Sequence, residues 1–241
     1  MLWFIGHRGQ EARLGTIFLI RHGEVKWNRE NSYIGSTDLP LNANGRSQAG
    51  LVAECLKHQH VSAIYSSDLI RARETAEIIA ARLGLSVNTV PDLREVDYGE
   101  WEGLPESEVR KRYPDIFREW RLNPSGVRIP GGETFAELRD RAFPAFCRIA
   151  QAHPDENIAV VAHKSTNRVI LCCILGIDVN NYRRIGQGNS ALNVIETRKD
   201  GRMVVQTINE SSHLLVPIQL DTPHSSRLNR RCGRPGFKTL G

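Results

Sequence analysis

Short runs of β-branched and apolar residues alternate with helix-length amphipathic patterns along most of this chain, and this alternation restricts the fold more than any other feature. Helices that connect successive strands cover both faces of a mainly parallel sheet. The runs that predict strands are residues 17–20, 63–65, 87–90, 158–162, 192–197 and 203–208. The patterns that predict helices are residues 48–56, 71–83, 134–150 and 166–175. The sequence therefore predicts a three-layer α/β/α fold with its active site at the carboxyl ends of the strands.

The chain reads as one domain with an extension at each end. We expect an N-terminal extension over residues 1–15, a single domain over residues 16–221 and a basic tail over residues 222–241. Within the domain, residues 96–133 are rich in polar residues, proline and glycine, which predicts an insertion of short helices over one end of the sheet. Trp101 and Trp120 lie in this insertion, and we expect aromatic packing within it, with closure of the insertion over the substrate as the alternative role.

The positive charge of the chain is concentrated in the tail. The formal net charge is +5 and the isoelectric point is about 9.1. Residues 222–241 hold five basic residues and no acidic one, so residues 1–221 are neutral overall. The tail also offers little apolar surface to bury, which predicts disorder there. Because the domain itself has no surplus charge, we expect no nucleic-acid partner.

We expect neither a membrane-spanning helix nor a secretion signal in this chain. No apolar stretch reaches the roughly 18 residues that a membrane-spanning helix needs, and the longest candidate is residues 169–177. The first residues lack the pattern of a secretion signal. The five cysteines are an odd set without a Cys-x-x-Cys spacing, which favours reduced, mostly buried thiols. We expect a cytoplasmic protein with no membrane partner.

Basic and imidazole side chains follow three of the predicted strands. Arg21 and His22 come directly after the first strand, and His163 follows the strand at residues 158–162. Arg71 opens the helix after the strand at residues 63–65. The carboxyl ends of parallel strands lie at one edge of the sheet, so these groups should converge beside helix N-termini. Two guanidinium groups and two imidazoles suit an anion, and a phosphate fits best.

A metal site is the main alternative for a histidine pair. No Asp, Glu or Cys with ligand spacing accompanies His22 or His163, so we expect no metal and no other cofactor there. His58 and His60 form a second His-x-His candidate, which we interpret as part of a solvated loop.

The motifs around these residues resemble the histidine phosphatase superfamily, the phosphoglycerate mutase-like enzymes. They follow the family order and span about residues 16–209. The matching blocks are Arg21-His22-Gly23-Glu24 with Trp27-Asn28; Gly35-Ser36-Thr37-Asp38 with Gly45; Ser67-Asp68 with Arg71-Ala72 and Thr75; Arg94-Glu95 with Gly99-Glu100-Trp101-Glu102-Gly103; Gly132-Glu133-Thr134; and Ala162-His163.

The resemblance implies a role for each matching residue. His22 would be the nucleophile that becomes a phosphohistidine, and Glu95 the general acid and then base. Phosphoryl oxygens would be surrounded by the side chains of Arg21, Asn28, Arg71 and His163. Elementary chemistry supports this assignment, because nearby cations disfavour an imidazolium at His22. With a protonated His163, they could also stabilise the transferred phosphoryl group without a metal. For Glu95 the alternative is a surface carboxylate paired with Arg94.

One position departs from the usual family pattern. Most members carry Gly after the second histidine, whereas this chain has Lys164. We hypothesise that Lys164 or Arg168 meets a second anionic group on the substrate. In the alternative interpretation, Lys164 points to solvent and only its backbone N–H serves the helix N-terminus.

Several functions use the same residues. A phosphatase transfers the phosphoryl group to water, whereas a mutase returns it to another hydroxyl of the substrate. Family mutases of the glycolytic type carry a longer insertion than the 68 positions that separate Glu95 from His163 here. We therefore expect a phosphatase acting on a small phosphorylated metabolite, with mutase activity as the first alternative. The second alternative is a catalytically silent binding or regulatory module, or a nucleic-acid partner that uses the basic tail. The resemblance also allows a homodimer.

Overall fold

The computed structural model describes residues 13–215, apart from the side chains of Arg13 and Arg29. The strands are β1 (Arg13–Arg21), β2 (Val61–Ser66), β3 (Val87–Thr89), β4 (Asn157–Ala162), β5 (Leu192–Arg198) and β6 (Met203–Glu210). The α-helices are α1 (Lys26–Arg29), α2 (Ala43–Leu56), α3 (Ile70–Leu83), α4 (Glu106–Arg112), α5 (Pro114–Leu122), α6 (Phe135–Ala152) and α7 (Lys164–Leu175). Short 3-10 helices span Pro91–Leu93, Gly99–Trp101, Val179–Arg184 and Ser212–Leu214.

The six strands form one sheet in the order β3-β2-β4-β1-β5-β6. The first four of these strands are parallel, whereas β5 and β6 run antiparallel at one edge. The mainly parallel sheet predicted from the sequence is confirmed. In the register of β1 and β4, Arg21 lies opposite Ala162, so the residues that follow these two strands, His22 and His163, emerge side by side.

Helices cover both faces of the sheet, as expected for three layers. On one face, α2 and α3 bury Val52, Leu56 and Ile79 against apolar residues of the sheet such as Ile20 and Ile64. On the other face, α6, α7 and the insertion form the larger core. A capping box, in which Thr134 and Glu137 exchange side-chain and backbone hydrogen bonds, begins α6.

Two helices begin earlier than the apolar pattern indicates. The Asn42 side chain accepts a hydrogen bond from Gly45 N and caps α2, which begins at Ala43 rather than at residue 48. Helix α7 begins at Lys164, directly after His163, rather than at residue 166. The first turns of both helices are partly polar, so the hydrophobic periodicity does not reveal them. The earlier start of α7 brings Lys164 into the site.

The insertion packs around an aromatic core. Trp101 and Trp120 are both buried, and their ring centroids lie 5.0 Å apart in an edge-to-face arrangement. Tyr33 and Phe117 pack against the same pair of rings. The predicted packing role of the two tryptophans is confirmed, and it holds α4 and α5 over the carboxyl end of the sheet.

Some expectations fall outside the described residues. These are most of the N-terminal extension, the basic tail at residues 222–241, and Cys232. The four described cysteines are free thiols, but only Cys172 is buried, while Cys147 and Cys173 are half-buried and Cys55 is exposed. The prediction of mostly buried thiols is therefore wrong for this set. Among residues 13–215, no helix is both long and apolar enough to cross a membrane.

Candidate active site

His22 is fixed by backbone hydrogen bonds on both sides of its Cα atom. Its N–H donates to the carbonyl of Ala162 at 3.0 Å, and its carbonyl accepts from Ser190 N at 3.1 Å. The next residue must be glycine, because a Cβ atom at Gly23 would collide with the carbonyl of Gly45. The backbone that follows β1 therefore packs directly against the first turn of α2 at Gly23, next to the imidazole of His22.

The imidazole of His22 presents a free nitrogen to the cavity. Its Nδ1 atom lies 2.7 Å from the carbonyl oxygen of Gly23, a contact in which only a protonated Nδ1 can donate. The neutral ring therefore carries its lone pair on Nε2. Burial lowers the pKa of His22 well below its usual value, and the positive charges of Arg71 and Arg21 lower it further. The lowered pKa agrees with the expected neutral imidazole, and burial, rather than the neighbouring cations, is its first cause.

Two buried guanidinium groups flank His22. Arg71 donates to the carbonyls of Thr37 at 2.8 Å and Gly35 at 2.7 Å, and Arg21 donates to the carbonyl of Gln187 at 2.8 Å. Burial lowers the pKa of each arginine to about 10, so both remain charged at neutral pH. The Nε atoms of both side chains are buried without a hydrogen-bond partner among the described residues. These donors can serve an anion beside His22.

Glu95 caps helix α7. Its carboxylate accepts the backbone N–H groups of Ser165 at 3.0 Å and Thr166 at 3.2 Å, and the side chain is buried. Arg94 instead forms an ion pair with Asp68, so the alternative of a surface Glu95–Arg94 pair is wrong. Arg141 holds the segment in place by donating to the carbonyl of Glu95 at 2.9 Å.

The helix N-termini near His22 are occupied by carboxylates. Glu95 takes the N–H groups at the start of α7, and Asp38 accepts from Ile70 N at the start of α3 at 2.6 Å. His163 and Arg71 do lie at helix N-termini, as expected, but carboxylates occupy the N–H groups there. Side chains provide the cationic surroundings of His22 instead.

His163 lies behind His22 and is completely buried. The two ring centroids are 5.2 Å apart, and neither ring nitrogen of His163 has a hydrogen-bond partner among residues 13–215. Burial, followed by the charge of Arg71, lowers the pKa of His163 well below its usual value. This lowered pKa applies to the cavity without an anion, so the expected protonation of His163 beside a phosphoryl group stays a prediction.

A cavity of about 690 Å³ opens above His22. We call its buried part the floor, lined by Arg21, His22, Arg71 and Glu95. We call its more exposed part the rim, lined by Glu106, Arg121, Lys164, Arg168 and Arg183. All the predicted site residues except His163 line this cavity, and His163 supports the floor from below.

The rim has four cations and one carboxylate, and its cations differ in their contacts. Arg168 donates Nε to the carbonyl of Ile185 at 2.6 Å, so part of its guanidinium is already bound. Arg121 lies 3.8 Å from Glu106. Lys164 has no hydrogen-bond or ion-pair partner among the described residues. Partial desolvation, together with the cations Arg21 and Arg168, lowers the pKa of Lys164 to about 8.

Sequence reasoning missed several cavity residues, and two of them make contacts that shape the cavity wall. The guanidinium of Arg183 stacks over the ring of Trp120, with its carbon 4.2 Å from the centroid, and over Tyr182 at 4.6 Å. Asn189 donates to Asn28 Oδ1 at 3.0 Å, which orients the amide of Asn28 in the cavity wall. Neither belongs to a block that carries the resemblance, and no periodicity marks them. Arg183 lies in the 3-10 helix Val179–Arg184, and Asn189 lies in the segment that precedes β5. Only the tertiary structure brings these two segments to the cavity.

No metal site emerges from this geometry. Within residues 13–215, no group of three or more His, Cys, Asp or Glu side chains is arranged to hold a metal ion. The His58 and His60 candidate is part of an exposed turn.

Comparisons with known proteins identify the family. The sequence profile of the histidine phosphatase superfamily, branch 1, matches residues 17–211. Phosphoserine phosphatase 1 of Hydrogenobacter thermophilus is 33% identical over 198 residues, which cover 82% of this chain and 93% of that protein. Phosphoglycerate mutase-like protein 4 of Arabidopsis thaliana is 38% identical over 216 residues, which cover 85% and 89% of the two chains. This chain belongs to the histidine phosphatase superfamily.

The fold comparison agrees with the sequence comparison. The solved structure of a mycobacterial glucosyl-3-phosphoglycerate phosphatase in complex with VO3 aligns with a TM-score of 0.74 and 28% identity. The alignment covers 83% of this chain and all of that one. With its family and its phosphatase relatives, the chain is a phosphoric monoester hydrolase.

Proposed function

We propose that this enzyme hydrolyses a small-metabolite phosphomonoester through a phosphohistidine on His22, without a metal ion. The observation that carries the proposal is the state of His22. Its imidazole is neutral, directs Nε2 away from the Gly23 carbonyl, and lies between the guanidinium groups of Arg21 and Arg71. A neutral nitrogen beside two fixed cations is suited to attack a phosphorus atom whose oxygens those cations bind.

The first step transfers the phosphoryl group to the enzyme. Nε2 of His22 forms a bond to phosphorus while the bond from phosphorus to the alcohol oxygen breaks. Arg21 and Arg71 stabilise the negative charge on the three equatorial oxygens, a task that metal ions perform in many other phosphoryl-transfer enzymes. Glu95 gives a proton to the departing oxygen, so the alcohol leaves as a neutral molecule.

The second step regenerates His22. Glu95 takes a proton from a water molecule as the water oxygen attacks phosphorus, and the bond between Nε2 and phosphorus breaks. The products are inorganic phosphate and the original neutral imidazole. His163 and Asn28 donate hydrogen bonds to the phosphoryl oxygens in both steps, and the bound dianion favours the protonated form of His163.

The rim supports a second element of the proposal, the binding of another anionic group of the substrate by Lys164. Lys164 and Arg168 were equivalent candidates in the sequence, but they differ in their contacts. Arg168 already binds the Ile185 carbonyl, whereas the Lys164 ammonium has no partner among the described residues. Two relatives named for phosphoserine and glucosyl-3-phosphoglycerate act on carboxylated phosphomonoesters, which supports a carboxylate as that group.

The mechanism is tested with p-nitrophenyl phosphate in EDTA between about pH 5 and 8, a range that spans the ordinary pKa of histidine. We expect nitrophenol release by the wild type and its loss in His22→Ala. A labelled substrate should leave the label on the protein in Glu95→Gln, and not in His22→Ala. No release by the wild type in EDTA, or undiminished release by His22→Ala, would refute the mechanism. Transfer of the label to a second hydroxyl of the substrate, instead of to water, would identify a mutase.

A further inference from the structure

Glu102 is the centre of a hydrogen-bond cluster outside the cavity floor. One carboxylate oxygen accepts from Ser36 N at 2.6 Å, Ser36 Oγ at 3.0 Å and Tyr98 N at 3.3 Å. The other oxygen accepts from Thr37 N at 2.8 Å and from the Thr37 hydroxyl. Five donors on two carboxylate oxygens are more than a surface glutamate needs for solvation, and four of them come from two successive residues of one loop.

The same loop holds Arg71 on its other side. The carbonyls of Gly35 and Thr37 accept the two terminal nitrogens of the Arg71 guanidinium, at 2.7 and 2.8 Å. Arg71 is completely buried, so its orientation depends on these two acceptors. The N–H groups of the loop bind the carboxylate of Glu102, and the carbonyls of the same loop bind the guanidinium of Arg71. The loop therefore connects the two charged groups.

The loop has little freedom to adopt another shape. Gly35 has a φ of +56°, in the left-handed region that favours glycine. A Cβ atom at this position would collide with a carboxylate oxygen of Glu102. Among the described residues, no basic side chain forms an ion pair with Glu102, so the loop donors are its main compensation. Its negative charge thus acts on the loop rather than on a surface partner.

We propose that Glu102 is a positioning residue for phosphoryl binding: it fixes the loop at residues 35–37 so that Arg71 points its guanidinium at the phosphoryl group on His22. This inference rests on the proposed function of the floor but concerns a residue outside it. Glu102 touches no reacting atom, and its effect on catalysis passes through Arg71.

The test measures the binding of inorganic phosphate by calorimetry, together with kcat/KM for p-nitrophenyl phosphate. Glu102→Gln replaces one acceptor oxygen with a donor, which opposes the loop N–H groups. We expect the Kd for phosphate to rise and kcat/KM to fall by about 10- to 100-fold, the range found for outer groups that orient metal ligands. The matched control is Glu108→Gln, a carboxylate that pairs with Arg112 on α4. It should leave both quantities unchanged.

A double-mutant cycle separates positioning from a general loss of structure. In an Arg71→Ala background, Glu102→Gln should change phosphate binding by less than about twofold, because the group through which it acts is gone. Multiplicative losses in the double variant would overturn the proposal, as would unchanged phosphate binding in Glu102→Gln.

Two further measurements keep the result interpretable. If Glu102→Gln does not fold, Thr37→Val removes one donor and keeps the carbonyl that binds Arg71; a several-fold weaker phosphate affinity supports the proposal and an unchanged affinity overturns it. If the wild type binds no phosphate, both the proposed function of the floor and the positioning role of Glu102 fail. If the wild type binds phosphate and Glu102→Gln binds it equally well, only the positioning role fails.

Discussion

The floor and the rim of the cavity are built in different ways. The floor groups are buried and tied to backbone atoms: Arg71 to the Gly35 and Thr37 carbonyls, Glu95 to the N–H groups of α7. The rim groups are more exposed and differ in their contacts: Arg183 stacks on Trp120, Arg168 donates to one backbone carbonyl, and Lys164 has no hydrogen-bond partner among the described residues. Backbone anchoring in a buried site fixes geometry closely, whereas exposed side chains adapt. The floor is therefore suited to the reaction and the rim to the choice of substrate.

The largest contrast is expected between two carboxylates, one in each region. Glu95→Gln should lower kcat by about 10²- to 10⁴-fold, because an amide cannot supply or accept the transferred proton. Glu106→Gln at the rim should lower it by less than about tenfold, since an exposed ion pair contributes about 1 kcal/mol or less. Steady-state kinetics on p-nitrophenyl phosphate gives both values. Similar losses in the two variants would contradict the division between floor and rim.

A second contrast concerns two arginines. Arg71→Lys should lower kcat/KM by about 10²- to 10³-fold, because a lysine cannot bind two carbonyls and a phosphoryl oxygen in one plane. Arg168→Lys should lower it by less than about tenfold, since a lysine can still reach the Ile185 carbonyl. Phosphate affinity, measured in parallel, should follow the same order. An Arg168→Lys variant as damaged as Arg71→Lys would place the phosphoryl group nearer the rim.

The buried histidines of the floor should also make stability depend on pH. Burial lowers the pKa of His22 and His163 in the folded state, so below about pH 6.5 the unfolded chain binds protons that the folded chain does not. Stability is full above that pH and falls as the pH drops, by up to about 1.4 kcal/mol per pH unit for each histidine. When the free energy of unfolding is measured by urea denaturation between pH 7 and 5, it should change less steeply with pH in His163→Gln than in the wild type. The exposed His58→Gln is the control, and equal slopes in all three proteins would contradict the prediction.

The smallest effect is expected from the rim cation Lys164. Lys164→Ala should raise KM for a carboxylated phosphomonoester about five- to tenfold, the value of one partly exposed ion pair, and leave an uncharged substrate unaffected. Because the pKa of Lys164 is about 8, its side chain carries a positive charge below that pH and loses the charge above it. The wild-type preference for the carboxylated substrate should therefore decline as the pH rises through about 8, and the variant should show no such decline. Equal losses for both substrates would sink the specificity role.

The sequence predicts local elements and residue types well, and contacts between distant elements poorly. The six strands were located because apolar runs between turn residues are local signals. The polar first turn of α7 was missed for the same reason, since it carries no periodic pattern. The lowered pKa of His163 has no local signal either, because its first cause is complete burial behind His22, which depends on the packing of β1 against β4.

The sequence by itself determined the family, the α/β architecture and the residue types around His22, because motif order and hydrophobic periodicity are written along the chain. Only the tertiary structure decided which polar group meets which partner. It placed Glu95 on the N-terminus of α7, and it joined Glu102 to Arg71 through one loop. It also bound Arg168 to a carbonyl and gave the Lys164 ammonium no partner within residues 13–215. These contacts connect residues tens of positions apart, and long-range packing, rather than local preference, selects them.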